Sequence, residues 1–465
     1  MPIPWIPDEI AAAINPAIAD GIGIWLVGGA VRDRLLNRPV KDFDFAVAGA
    51  ARVLARSVAD HVGGAYFELD AQRDAGRVLP TAGSTAQTID FAALRALDIE
   101  DDLRLRDFTV NALAIDPSAT DSILDPTGGL ADLKERVLRL CHQEGIASDP
   151  VRSLRAVRLS GQLGFRMDSA LVAALRADGR QVGLASVERI RDELFAILRQ
   201  DRPVAPLRLA VKLGLLQTAV PAVNSADLER GMTTVGHLSD LMATVVGDFD
   251  PEAPGNFTLA QVSLQLGRYR RQMAAALDST VAGDRRLRHL LTLASLLLPN
   301  AEGTEIGAEG RLASVADTIH LGRAELNLLA AIGAYASGLR PDELLPALDG
   351  RAQYRFRKAL GEADVVIVLY TLAAQLSQGA GPPDPDQWER AVEGARAYLS
   401  ARFERPSRLF PEPLVRGEDL MRALSIEPGP ELGELLEVIH EAQAAGEVKT
   451  AEDALRLARS SHQSG

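Results

Sequence analysis

The amino-acid sequence predicts an α+β fold: an N-terminal head with a mixed β-sheet (residues 1–140), then an all-helical neck (141–222), body (223–378) and tail (386–465). The chain has 465 residues, too many for one compact core, so two to four domains are expected. In the first third, apolar runs of strand length alternate with turns and short helical stretches. From about Asp149 the apolar positions take up helical spacing, opening at Leu154, Val157, Leu163 and Phe165, and keep it to the end.

Taken in order, Ile24-Trp25-Leu26-Val27 has the composition of a strand. Gly28-Gly29 follows as a turn, and residues 30–36 as a helix. Phe43, Phe45 and Val47 alternate with Asp42 and Asp44, the pattern of a half-buried strand. Further strands are expected at 64–69, 87–91 and 113–116, giving a mixed sheet flanked by helices. Breaks in the helical part fall at Asp201-Arg202-Pro203, at 250–255 and at 379–385. The last, rich in Pro and Gly, is the best linker. The longest uncharged apolar run, 365–376, is well short of a membrane span and reads as a buried helix.

Composition narrows the class of function. Cys141 is the only cysteine, which excludes an intramolecular disulfide and a Cys-rich metal cluster and fits a reducing, cytoplasmic setting. The opening MPIPWIPDEI has neither a basic leader nor an apolar stretch of signal-peptide length. A net charge of −13 opposes indiscriminate binding to nucleic acid. Local charge differs: residues 151–200 hold nine Arg, no Lys and five acids, so any RNA-facing surface should begin there.

The most informative stretch is Leu26-Val27-Gly28-Gly29-Ala30-Val31-Arg32-Asp33, followed by Asp42-Phe43-Asp44. Residues two apart on a strand point the same way, so Asp42 and Asp44 bring two carboxylates together while Phe43 and Phe45 face the core. Two like charges that close are costly unless a cation lies between them, and Mg²⁺ held by carboxylates and substrate phosphates would supply it. Gly28 and Gly29 let backbone approach a ligand, and the helix start offers free N–H groups to phosphate. Arg32 can add a charge-assisted contact. Singly, a Gly-Gly turn is usually only a turn and an Asp-x-Asp a solvated edge. Together they are far more specific.

This segment resembles the nucleotidyltransferase signature of the class II tRNA CCA-adding enzymes and bacterial poly(A) polymerases, a branch of the polymerase β superfamily. The resemblance implies template-independent addition of nucleotides to the 3′ end of tRNA or a related RNA, with CTP and ATP as substrates and two Mg²⁺ ions at Asp42 and Asp44. It also implies a third catalytic carboxylate from a neighbouring strand, for which Asp90 in Thr88-Ile89-Asp90-Phe91 is the best match; the alternative is an exposed strand Asp. Arg106-Asp107-Phe108-Thr109-Val110-Asn111-Ala112 resembles the family's ribose and triphosphate motif. That motif begins with two arginines, whereas this chain has Leu105 in the first place, implying a weaker grip on triphosphate. Asp107 and Asn111, at i and i+4, suit one face of a helix start. In the family this motif selects the ribose 2′-hydroxyl; a helix cap is the other reading. Asp125-Pro126-Thr127-Gly128-Gly129-Leu130-Ala131-Asp132-Leu133 matches the hinge segment, with an articulating role.

Asp149-Pro150-Val151-Arg152-Ser153-Leu154-Arg155-Ala156-Val157-Arg158 resembles the motif in which amino acids select the incoming base. Cytosine and adenine each present an amino donor beside a ring-nitrogen acceptor. A carboxylate only accepts and a guanidinium only donates, so Asp149 with Arg152 on one helix face can match C or A and leave G or U mispaired. Mispaired buried polar edges are expensive. Ser148 stands where the family often has Glu. Arg155 and Arg158 continue the face and could stack under the base or bind phosphate; the alternative is an arginine-rich solvated helix. Glu188-Arg189-Ile190-Arg191-Asp192-Glu193-Leu194 resembles the last motif, a salt-bridged support for the neck.

Further along, no His-Asp dipeptide occurs, so the phosphohydrolase module of some relatives is not expected, and His237 and His289 read as ordinary helix residues. Arg268-Tyr269-Arg270-Arg271 and Tyr354-Arg355-Phe356-Arg357-Lys358 could bind RNA or be solvated faces. The segment from Arg416 through Leu436 resembles the family's RNA-binding tail. The expected activity is CCA addition from CTP and ATP. Poly(A), CC-only or A-only addition is the alternative within the class, and a catalytically silent RNA-binding protein the one outside it.

Overall fold

The computed structural model describes residues 5–81, 83–119, 122–220, 225–246, 257–298, 308–338, 349–378 and 383–462. The expected break at 250–255 and most of the linker at 379–385 lie outside these residues. The chain divides into two compact units, Met1–Ser186 with Leu213–Leu215, and Val187–Lys212 with Leu216–Gly465.

The first unit is built on a seven-stranded sheet. Its strands are β1 (Ile24–Val27), β2 (Asp42–Val47), β3 (Ala65–Asp70), β4 (Ala75–Leu79), β5 (Thr88–Ala93), β6 (Ala114–Ile115) and β7 (Ile123–Leu124), in spatial order β3-β4-β5-β2-β1-β6-β7. The central β2–β5 pair is parallel and all other pairs are antiparallel, which makes the sheet mixed. β4 and β7 are additions to the strands read from the sequence.

Helices α1 (Asp8–Ala19), α2 (Gly29–Leu35) and α3 (Ala51–Val62) join the sheet in one core. Phe43 and Phe45 of β2, Val78 of β4 and Ile89 and Phe91 of β5 are all buried with Leu54 and Val58 of α3. The rings of Phe45 and Phe91 stack with centroids 5.1 Å apart. Each such side chain contributes roughly 1.5–3 kcal/mol by leaving water. Because strand side chains alternate, burying this set forces Asp42, Asp44, Arg77 and Asp90 onto the opposite face. The core thereby aims the polar residues.

Between β5 and β6 lies α4 (Ile99–Arg104), and after the sheet come α5 (Gly129–Glu135), α6 (Gly145–Ser148) and α7 (Arg152–Leu163). Leu154 and Val157 of α7 are fully buried, as their spacing requires. Asp107 precedes, and Asn111 closes, a single 3-10 turn (Thr109–Asn111) rather than opening an α-helix. The Asp125 carboxylate accepts the backbone N–H groups of Gly129 and Leu130, at 2.7 and 2.9 Å, and so caps α5. A Cβ on Gly129 would collide with the Thr109 carbonyl, so this segment is pressed against the turn that carries Asn111.

Among its described residues, the regular structure of the second unit is helical apart from a short hairpin, Thr280–Ala282 with Arg285–Arg286. Gly350–Leu376 is long and apolar enough to cross a membrane, but it is largely buried and broken by a 3-10 turn at Gly361–Ala363. Its second half, Asp364–Leu376, is the buried helix expected from the apolar run. At the start of that helix the fully buried Asp364 accepts from Tyr398 Oη (2.6 Å) and Arg402 Nε (3.1 Å). Arg357 Nε lies 3.4 Å from the same carboxylate.

The basic stretch 354–358 buries its two aromatic rings, while Arg355 and Lys358 stay exposed and paired with acids. Tyr354 and Phe356 are buried, Arg355 makes two hydrogen bonds to Glu441, and Lys358 pairs with Glu437. These bonds fasten it to the tail helix Pro430–Ala444. Arg268 likewise pairs with Glu404, and Arg270 donates to the Val245 carbonyl. His289 is a helix residue whose Nδ1 accepts the Arg286 N–H at 3.1 Å. Glu188, in the helix Val187–Leu198, lies 3.6 Å from the His320 ring.

Candidate active site

The polar face of the sheet opens on a cavity of about 780 Å³. Gly28, Gly29, Arg32, Asp42, Asp44, Asp90, Arg106, Asp107, Asn111, Arg155 and Arg158 all line it. Asp42 and Asp44 project from β2, with Asp44 level with Val27 of β1 on one side and with Asp90 of β5 on the other. Thr88 donates its hydroxyl to Asp42 at 2.7 Å.

Burial pushes the Asp44 carboxyl up to about 6; Asp90 and Asp42 push the same way, against the pull of Arg106 and Arg77. A carboxyl so raised, first by burial and then by its acidic neighbours, is one that a bound cation would help to hold ionised. Among the described residues no three His, Cys, Asp or Glu side chains are grouped as a closed metal shell. Mg²⁺ does not need one, since it is held by one or two carboxylates with substrate phosphates and water completing the sphere. Asp42 and Asp44 fit that requirement.

Gly28 has φ +73° and ψ −136°, a backbone state that side-chain-bearing residues avoid. A Cβ there would stand 3.5 Å from Arg106 Nη1 and 3.7 Å from Asp44 Oδ2, in the mouth of the cavity. Gly28→Ala is therefore expected to destabilise the protein by about 1–3 kcal/mol and to weaken nucleotide binding. Urea denaturation and a nucleotide titration would check the two effects. A variant with unchanged nucleotide affinity would show that the turn is not part of the site.

The remaining groups form a connected network. Arg32 is nearly buried; Nε and Nη2 donate to Asp33 at 2.9 Å each, and Nη1 to Asn111 Oδ1 at 2.6 Å. Asn111 donates to Asp107 at 3.1 Å, and Asp107 accepts from Arg155 at 3.1 Å. Burial alone would raise the Asp107 carboxyl, but Arg155, Asn111 and the Phe108 N–H together hold it below the usual carboxylate range. Arg106 shares Asp102 with Arg95. Arg104 pairs with Glu100 and Asp101 on the surface and does not substitute for the arginine missing at Leu105.

Asp149 and Arg152 are brought together but not to the cavity wall. Their Oδ2 and Nε atoms lie 3.6 Å apart, and Arg152 is only 8% exposed. Arg152 donates Nη2 to the Leu105 carbonyl (3.1 Å) and Nη1 to the Gly145 carbonyl (3.3 Å), beside the His142 ring. Cys141 is half-buried nearby, and burial pushes its thiol up to about 12. Arg38, Lys41 and Asp33 also line the cavity, and Arg77 holds Asp90 by two hydrogen bonds; none was singled out from the sequence. For Arg38 and Lys41 the signal was present, two basic residues just before Asp42.

A family model described as the poly A polymerase head domain matches residues 24–139. A second, described as a probable RNA and SrmB-binding site of polymerase A, matches 164–227, and a third, tRNA nucleotidyltransferase domain 2, matches 411–458. The CC-adding tRNA nucleotidyltransferase of Geobacter sulfurreducens is 33% identical over 94% of this chain and 91% of its own length. The chain belongs to the tRNA nucleotidyltransferase family. The A-adding tRNA nucleotidyltransferase of Deinococcus radiodurans is 32% identical over 93% of this chain and 94% of its own. In fold, this tRNA nucleotidyltransferase is similar to a CCA-adding enzyme solved with ATP, at a TM-score of 0.62 and 22% identity over 98% of this chain and 97% of the other. The Thermotoga maritima CCA-adding enzyme complexed with tRNA gives a TM-score of 0.58 at 21% identity, over the same shares of the two chains.

Proposed function

We propose that this tRNA nucleotidyltransferase adds C and A nucleotides to the 3′ end of tRNA, from CTP and ATP and without a nucleic-acid template. The observation that carries this reading is the pair Asp42 and Asp44, on one face of β2 beside the Gly28 turn and opening on a single cavity. Asp42 and Asp44 would hold the two Mg²⁺ ions, which when bound favour deprotonation of the RNA 3′-hydroxyl and offset charge on the phosphates. The 3′-oxygen forms a bond to the α-phosphorus, and pyrophosphate leaves. A cytoplasmic setting accompanies that substrate.

The chain's own groups divide the remaining work. Gly28 and Gly29 let the triphosphate approach the backbone at the start of α2, with Arg32 and Arg106 supplying positive charge. Asp107 and Asn111, locked by Arg155 and Arg32, offer a rigid acceptor and amide to the ribose. Asp149 and Arg152 are assigned to the base edge, which requires Arg152 to exchange the carbonyls of Leu105 and Gly145 for the base. Arg155 and Arg158 line the same cavity between these groups.

A specific observation favours a second reading, addition of CC only or A only: relatives matched over more than nine-tenths of this chain bear those names. The deciding test offers CTP, ATP or both to tRNA lacking its last three nucleotides, to tRNA ending in CC and to an unrelated RNA, and sequences the products. Full CCA ends with both nucleotides are expected. Arrest after two C residues, or addition of A only to a tRNA already ending in CC, establishes the second reading. Long A tails on unrelated RNA would make the chain a poly(A) polymerase.

A further inference from the structure

Asp90 enters the site already engaged. Its partner across the antiparallel β4–β5 pair is Arg77, which donates Nε and Nη2 to the two carboxylate oxygens at 2.8 and 2.7 Å. On its other side Asp90 is level with Asp44 in the parallel β2–β5 pair. Asp44, Asp90 and Arg77 thus form one row across three strands, with the guanidinium at its end. A two-pronged grip fixes a carboxylate in rotation as well as in position. Arg77 is not among the residues that line the cavity, whereas Asp90 is, so beyond a weaker direct pull on Asp44 the guanidinium acts on the reacting centre through Asp90.

Charge decides what this grip does. Asp42, Asp44 and Asp90 bring three acidic side chains to one wall, and the other guanidinium that acts on Asp44, Arg106, is shared with Asp102. With Asp90 released, three oxygen donors would converge on a divalent cation without any need for nucleotide. With Asp90 held, the cation finds a pair, and the phosphates must complete its shell. We propose that Arg77 is a positioning residue: it locks Asp90 beside Asp44 and keeps that carboxylate from closing a three-acid trap, so firm cation capture depends on the nucleotide. The inference rests on Asp42 and Asp44 being the cation platform.

Its test is a direct titration of nucleotide-free protein with Mn²⁺, following the free ion by electron paramagnetic resonance. Wild type is compared with Asp42→Ala, Arg77→Met, Arg77→Lys, Asp90→Asn and the double variant Arg77→Met/Asp90→Asn, after melting curves show each to be folded. Arg77→Met should bind Mn²⁺ about tenfold tighter, the scale on which a neighbouring charge alters an ionised carboxylate. Arg77→Lys keeps the charge without the fork and should fall between. In the Asp90→Asn background, removing Arg77 should give only a small part of that gain, from its direct pull on Asp44. Arg77→Met should also lower kcat for nucleotide addition with little change in KM. Unchanged Mn²⁺ affinity in Arg77→Met, or the same gain when Asp90 is already Asn, overturns the proposal. An Asp42→Ala protein that binds Mn²⁺ as wild type does would instead remove the platform, and the proposal with it.

Discussion

Asp44→Ala lowers nucleotide incorporation by at least about 10³-fold while the protein stays folded, because charge stabilisation at the transferred phosphate is the largest single contribution such a site makes. Asp42→Ala has the same outcome. The same residue yields a stability result of opposite sign. The Asp44 carboxyl in the fold is raised to about 6 from an ordinary 3.8. A raised acid is easier to protonate folded than unfolded, so stability falls as pH rises through that interval and stays lower above it. In metal-free protein, Asp44→Asn should therefore be more stable than wild type at pH 8, by about 1–3 kcal/mol, and no more stable at pH 4. Adding Mg²⁺ should narrow the gap at pH 8, and Mg²⁺ with nucleotide should narrow it further, by stabilising wild type the more. Urea midpoints at the two pH values check this. An equal shift at both would separate the effect from ionisation and remove the reason to place a cation there.

The carboxylate pair was legible in the sequence because both of its determinants are local. Period-two alternation puts Asp42 and Asp44 on the face opposite Phe43 and Phe45, and the core formed by Phe45 and Phe91 enforces that choice. Gly28 was legible because the turn needs a conformation that only glycine adopts easily.

What escaped was decided at long range. β4 is five residues with a glycine inside, too brief to announce itself, so Arg77 and its register with Asp90 stayed hidden. Arg152 shares a local motif with Asp149, but its partner at Leu105 lies 47 residues away, and no spacing rule reports a buried carbonyl. The stretch 354–358 left an RNA patch and a solvated face equally open, because its neutralising acids, Glu437 and Glu441, come from another helix.

Asp364→Ala should cost about 3–5 kcal/mol, the largest stability loss expected of a single change in the helical unit. Asp364 is fully buried, and burial raises its carboxyl against the pull of Tyr398, Arg357 and Arg402. Two guanidinium groups and a tyrosine hydroxyl converge on it. Removing the acid takes the buried partner from both cations and leaves them their ion pairs with the exposed Glu362. Asp364→Asn keeps an acceptor for Tyr398 and should lose less, whereas replacing the cluster by apolar side chains of similar volume should recover much of the loss. Urea denaturation of the three variants ranks them. If Asp364→Ala loses no more than Asp364→Asn, the cations have found other partners and the cluster is not a cooperative unit.

The chemistry of Cys141 makes the molecule convenient to instrument. A thiol raised that far holds almost no thiolate at neutral pH, and thiolate is the form that attacks electrophiles. Maleimide dyes added at pH 7 will pass over the native sulfur, so one cysteine introduced at an exposed tail position such as Glu434 becomes a single attachment point without first clearing the background.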